Sequence, residues 1–145
     1  IVYNTIQIPC RGCTYEPQPN VKKLREQGQR MYDIPLRITK EDTNVKDTRA
    51  LRIEVEGRLL GLTTLDFLHL GYVPGEDVDR VSAAIDSGNL YSVFVSKLEG
   101  YSYRLEATNE FRYAFYLHCS VTRKGKWGKK NKKYKYSTPI DHQDN

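Results

Sequence analysis

At 145 residues, with 39% hydrophobic and 28% charged side chains, the chain suits one compact domain burying roughly two-thirds of its unfolded surface and leaves little room for two. No apolar run approaches the roughly 20 residues that span a bilayer, the first residues lack the basic start and apolar block of a secretory signal, and 16 aromatics, 11 of them Tyr, argue against disorder and low complexity. The net charge of +5 is concentrated: Arg123 to Tyr136 carries eight Lys or Arg and no acid, whereas residues 1–122 hold 15 basic and 16 acidic groups.

Most segments have the period of half-buried strands. Ile1 to Pro9 places Val2, Ile6 and Ile8 on one parity, with Pro9 ending the strand or putting it at an edge. Asn20 is placed to cap a short helix over Val21 to Gln27, with Val21 and Leu24 inward and Gly28 as its stop. Ile34, Leu36 and Ile38 alternate with Pro35, Arg37 and Thr39, and Leu51, Ile53 and Val55 alternate with Arg52, Glu54 and Glu56 up to Gly57. Between these strands, Glu41, Asp42 and Asp47 mixed with Lys40, Lys46 and Arg49 suit a solvated loop. Leu59 to Leu70 fits either a strand followed by a loop or a buried helical turn, since short apolar runs do not separate the two.

The principal helix is expected over Glu76 to Ser87. Val78, Val81, Ala84 and Ile85 share a face, Gly75 is a possible cap, Glu76 and Asp77 complement the helix dipole in the first turn, and Gly88 stops it. Tyr91, Val93 and Val95 then alternate with Ser92, Phe94 and Ser96, and Gly100 offers a turn before Tyr101, Tyr103 and Leu105, which reads as a hairpin. Phe111, Tyr113, Phe115, Leu117, Cys119 and Val121 share one face of the last strand. Strands, one or two short helices and no βαβ alternation give a mainly β, β-rich α+β fold, with Leu51, Ile53, Val55, Val93, Val95, Phe115, Leu117 and Cys119 in its core.

Three cysteines are too few and too odd in number for a disulfide framework, which favours a reducing intracellular setting, nuclear or cytoplasmic. Cys10 and Cys13 have the spacing of half a zinc site, but His118 and Cys119 point to opposite sides of their strand and do not readily complete it, so neither metal nor cofactor is expected. There is no phosphate loop, nucleophile elbow or dinucleotide fingerprint, and His69, His118 and His142 are isolated, so the chain is not expected to be an enzyme. The domain division falls at 1–122 and 123–145, with mobile or partner-dependent structure from about Gly125. In that extension Lys124, Lys126, Lys129, Lys130, Lys132 and Lys133, interleaved with Trp127, suit phosphates and stacked bases; the same composition also suits a solvating extension.

One constellation is more specific. The stretch from Leu36 to Val55 joins two strands through a loop carrying Glu41, Asn44 and Asp47, Leu70-Gly71-Tyr72-Val73-Pro74-Gly75-Glu76 leads into the principal helix, and Arg11-Gly12-Cys13-Thr14-Tyr15 lies upstream. These three elements, in this order over about residues 5 to 120, resemble the HIRAN domain family. The resemblance implies an OB-like barrel of about six strands and a pocket for the 3′ end of single-stranded DNA, in a family found attached to fork-remodelling helicases and nucleases involved in DNA repair and also standing alone. It assigns Tyr15 as the aromatic that stacks on a base, Asn44 and Asp47 as loop polar groups, and Tyr72 as the residue preceding the helix. Lys46 stands where the family has its second stacking aromatic, and Gly75 where it has a basic residue. An Asx turn is the structural alternative for Asn44 and Asp47, and a core or rim position for Tyr72. The expected function is a nucleic-acid-binding module; the alternative is a non-catalytic structural or protein-interaction subunit of a larger nucleoprotein assembly.

Overall fold

The computed structural model describes residues 1–12, 19–27, 34–41 and 49–133, and of Tyr113 only the backbone. Its elements are β1 (Tyr3–Pro9), α1 (Pro19–Glu26), β2 (Arg37–Lys40), β3 (Leu51–Glu56), a 3₁₀ turn (Gly57–Leu60), β4 (Phe67–Tyr72), α2 (Gly75–Asp86), β5 (Leu90–Leu105) and β6 (Glu110–Lys124). They form two antiparallel three-stranded sheets, β1-β6-β5 and β2-β3-β4. The chain is thus mainly β, with α2 as its longer helix among the described residues.

The alternating apolar residues point from both sheets into one core. Ile8, Ile38, Leu51, Ile53, Val55, Leu70, Val93, Val95, Leu98, Phe115, Leu117, Cys119 and Val121 are all buried in it. Val21 and Leu24 of α1 and Val78 and Val81 of α2 join them, so the two helices cover the core that the sheets leave open. At about 25 cal/mol per Å² of apolar area removed from water, this shared core is the main stabilising contribution.

The sheets do not close into the expected barrel. At each of two corners they meet through a single bridge. In one, Arg11 and Tyr72 exchange backbone hydrogen bonds of 2.8 Å; in the other, Pro35 faces Phe94, with the Leu36 N–H donating to Val93 O at 2.8 Å and the Val95 N–H to Ile34 O at 3.1 Å. Pro9, two residues before Arg11, lacks the N–H that would extend the first contact, whereas Pro35 occupies a non-hydrogen-bonded position opposite Phe94, where the bonds are made by Ile34 and Leu36.

Three local expectations change. The Gly75 cap becomes the first residue of α2, behind Pro74 at the N-cap, and Asn20 lies inside α1, which begins at Pro19; the Asn20 amide donates to His69 O at 2.9 Å. Proline suits both helix starts, because its fixed φ is helical and its missing N–H is one the first turn leaves unpaired in any case. Gly28 lies outside the described residues. The stop of α2 holds: Gly88 adopts φ +71°, and the Gly88 and Asn89 N–H groups bond back to Ile85 and Ala84. Leu59 to Leu70 begins in a helical turn, the 3₁₀ turn, and its strand comes at the end of the run rather than at the start, as β4.

The larger correction concerns the long hairpin. Gly100 is not its turn; β5 runs straight through it, with Gly100 opposite Phe115, and the chain reverses at residues 106–109, where Asn109 takes φ 57° and donates to Leu105 O at 2.8 Å. Register shifts at Leu90/Ser92 and Val95/Lys97 each change the face on which the following side chains lie. Val93 and Val95 point inward, then Leu98 does, and Tyr91, Tyr101 and Tyr116 are exposed. Phe111, expected on the inner face, lies on the part of the hairpin beyond the core and is also exposed.

The expected boundary at residue 122 falls inside β6, which continues to Lys124. The segment expected to be mobile from Gly125 is tied to the domain as far as Lys133. The Gly125 N–H donates to Val2 O, the Trp127 indole N–H to Asn4 O at 2.9 Å, the Asn131 N–H to Glu76 O at 2.8 Å, and the Asn131 amide to Asp79 Oδ2 at 3.1 Å. Trp127 packs against the core, adding apolar area that a purely charged segment lacks.

Gly71, in the strand that meets Arg11, has no room for a side chain: a Cβ there would collide with the Arg11 carbonyl oxygen and the Cys10 sulfur. Gly71→Ala is expected to spread this corner and destabilise the fold by about 1–3 kcal/mol, read as a lower urea midpoint at unchanged slope.

Candidate nucleic-acid interface

Of the residues expected to line a pocket, Tyr72 lies among the described residues. The register of β2, β3 and β4 sets Thr39, Arg52 and Tyr72 side by side, and next to them Arg37, Glu54 and His69, on the face away from the core. Glu54 Oε1 accepts from Arg37 Nη2 and Thr39 Oγ1, both at 2.9 Å, and Arg52 Nη1 lies 3.4 Å from a Glu41 oxygen. The Tyr72 hydroxyl donates to Glu41 at 2.8 and 3.0 Å, while the His69 ring meets the Tyr72 ring edge-on at 4.8 Å. Arg37 also caps the Phe67 ring at 3.7 Å.

Two carboxylates and two guanidinium groups thus balance one another, and the cluster has no excess charge to offer a phosphate. Burial, then the Glu41 hydrogen bond, pushes the Tyr72 phenol up to about 12. Burial, then the Arg52 charge, lowers His69 to about 4, so it is neutral at physiological pH. Tyr72 is 6% exposed. Its ring is not an open stacking face; its hydroxyl ties Glu41, the last described residue before position 42, to the sheet. Tyr15, Asn44, Lys46 and Asp47 lie outside the described residues.

His69 carries a testable consequence. Its folded pKa is depressed, so its contribution to stability is fully present above the unfolded value of 6.5 and is lost as pH falls toward about 4. His69→Gln is expected to flatten the pH dependence of the urea midpoint within that window, and an unchanged slope there would contradict the assignment.

The basic extension has definite geometry. Lys124, Lys126, Lys129, Lys130, Lys132 and Lys133 are all exposed, on a segment held by Trp127 at one end and Asn131 at the other. Arg80 and Arg123 lie 5.9 and 5.6 Å from the Trp127 ring. Trp127 is half-buried and acts here as an anchor. The first turns of α2 receive the segment: Lys130 lies 3.5 Å from Glu76, and Asp79 is bound by Asn131 and by Arg49, which hold its carboxyl below the usual range. Asp77 beneath them is fully buried and pairs with Arg80 at 2.7 Å.

Sequence reasoning missed the outer face of β1-β6-β5. Tyr3, Tyr91 and Phe94 are exposed there, around Thr5, Gln7, Ser120 and Thr122. The outward parity of Tyr3 and Phe94 was readable as the complement of Ile6, Ile8, Val93 and Val95. Tyr91 was not, because the register shift beside it is a tertiary feature.

Among the described residues no group of three His, Cys, Asp or Glu is placed to hold a metal ion; Cys10 and Cys119 are buried, and Cys13 lies outside the described residues. No described helix is long and apolar enough to cross a membrane. Comparison of the chain with family models, with curated proteins and with solved structures yields no match.

Proposed function

We propose that the chain is a non-catalytic nucleic-acid-binding module whose lysine-bearing segment at 124–133 engages the phosphate backbone. The observation that carries this reading is the anchoring of that segment. Six exposed lysines are held on a backbone fixed by Trp127 and Asn131, while the acids of the domain are largely matched by its own Arg and Lys side chains. A merely solubilising extension needs no such anchor. Fixing like charges close together is unfavourable by itself and becomes favourable when an anionic ligand replaces their counterions. Replacing Lys126, Lys129, Lys132 and Lys133 by Ala is expected to weaken binding to all nucleic acids alike. The slope of log K against log salt on single strands is expected to fall by about 0.7 for each phosphate that the variant no longer neutralises. Titration by fluorescence anisotropy across a salt series measures both quantities.

The resemblance to the HIRAN family supports a finer reading, in which the 41–49 loop and Tyr15 receive an open 3′ end. A carboxylate such as Asp47 repels phosphates but accepts hydrogen bonds from a terminal sugar hydroxyl. Tyr15→Ala and Asp47→Ala are each expected to lower affinity for an open 3′ end by about 1–3 kcal/mol, with little change for a 3′-phosphorylated strand or in salt dependence. A second reading, a protein-interaction subunit, is favoured by the hairpin beyond Pro9, where Tyr101, Phe111 and Tyr116 are exposed. Absence of oligonucleotide binding at low salt would select it.

A further inference from the structure

We propose that the outer face of β1-β6-β5 is a stacking platform for the unpaired bases of a single strand, with Tyr3, Tyr91 and Phe94 as its aromatic surfaces. The inference rests on the nucleic-acid reading above and assigns the bases a site separate from the 41–49 loop.

The three rings come from two strands on either side of β6. Ile6 and Ile8 of β1 and Val93 and Val95 of β5 point into the core, so Tyr3, Thr5, Gln7 and Phe94 point away from it. The register shift between Leu90 and Ser92 brings Tyr91 to Tyr3, their ring centroids 4.6 Å apart and their planes tilted by 50°. Even after this mutual contact Tyr3 is 46% exposed, Tyr91 64% and Phe94 39%. The floor between them is low and polar: Thr5 shares a 2.7 Å hydrogen bond with Thr122, and the Gln7 amide donates to Ser120 at 2.7 Å. Low side chains between raised aromatic rings leave those rings approachable from solvent.

Charge identifies the occupant. Lys124, the register partner of Tyr3, stands on this face, and the lysine segment begins directly beyond it at the strand end before it turns toward α2. Thr122 and Ser120, the next outward residues of β6, lead from Lys124 toward Phe94, whose partner is Ser120, over about 13 Å of strand. A ligand that touches the rings and the segment together therefore presents flat apolar groups beside anionic ones. A single-stranded nucleic acid does so, because every base has a π-face and every base is joined to a phosphate; in a duplex those faces are stacked against one another and out of reach.

The test is a binding titration of the full chain with three labelled strands of equal length: oligothymidine, the same strand paired with its complement, and an abasic strand of identical phosphate charge. The wild-type protein is expected to prefer oligothymidine over both others. Tyr91→Ala and Tyr3→Ala are each expected to bind oligothymidine about tenfold more weakly, with unchanged affinity for the abasic strand and unchanged salt slope, while Tyr91→Phe and Tyr3→Phe keep wild-type affinity. Wild-type binding that is equal on oligothymidine and the abasic strand, or Ala variants that bind oligothymidine as tightly as wild type, would overturn the platform while leaving the lysine segment as the phosphate reader. Absence of binding to any of the three strands at low salt would overturn the nucleic-acid reading itself, and the platform with it.

Discussion

Strand β6 is hydrogen-bonded along both edges, to β1 on one side and β5 on the other, and its strict alternation governs both surfaces of the sheet. Inward, Phe115, Leu117, Cys119 and Val121 meet the apolar residues of β2-β3-β4. Outward, His118, Ser120, Thr122 and Lys124 form the polar row between the flanking aromatics. A one-residue slip of β6 would exchange these two sets, placing Lys124 in the core and Val121 in water, so register here is specified by burial. The same strand delivers Trp127 to its seat on Asn4, and with it the whole lysine segment.

Charge is partitioned in a way that leaves this segment distinct. On the β2-β3-β4 face, Glu41 and Glu54 are matched by Arg37 and Arg52, and at α2 Asp77 and Asp79 are matched by Arg80 and Arg49. Exposed pairs of this kind contribute little stability, and buried ones must first offset their own desolvation. Their effect is to fix geometry. Arg52 and Tyr72 hold Glu41 against the sheet, and Asp79 receives Asn131 of the lysine segment.

Much of the core was legible from period alone. Leu51, Ile53, Val55, Val93, Val95, Phe115, Leu117 and Cys119 are buried as their parity requires, and α2 stops at Gly88 as expected, whereas its start lies one residue earlier than expected, behind Pro74. Of the candidate site, the lysines and Trp127 were visible as a run of charge around an aromatic, and Tyr72 as part of a spacing motif. Neither signal distinguished a docked segment from a loose one, or an open ring from a buried one.

The sequence by itself determined the alternation that separates inside from outside, the apolar face of α2 and the glycine that stops it, and the excess of charge after residue 122. Those properties are local: they depend on side-chain period, fixed or permissive φ, and composition. Tertiary structure decided that Gly100 lies in a strand, that Tyr91 stands beside Tyr3, that Tyr72 gives its hydroxyl proton to a hydrogen bond with Glu41, and that Trp127 fastens a charged segment to the domain. Each of these depends on a partner distant along the chain, or on a register shift made when two strands pair, and no period within one segment encodes such a partner.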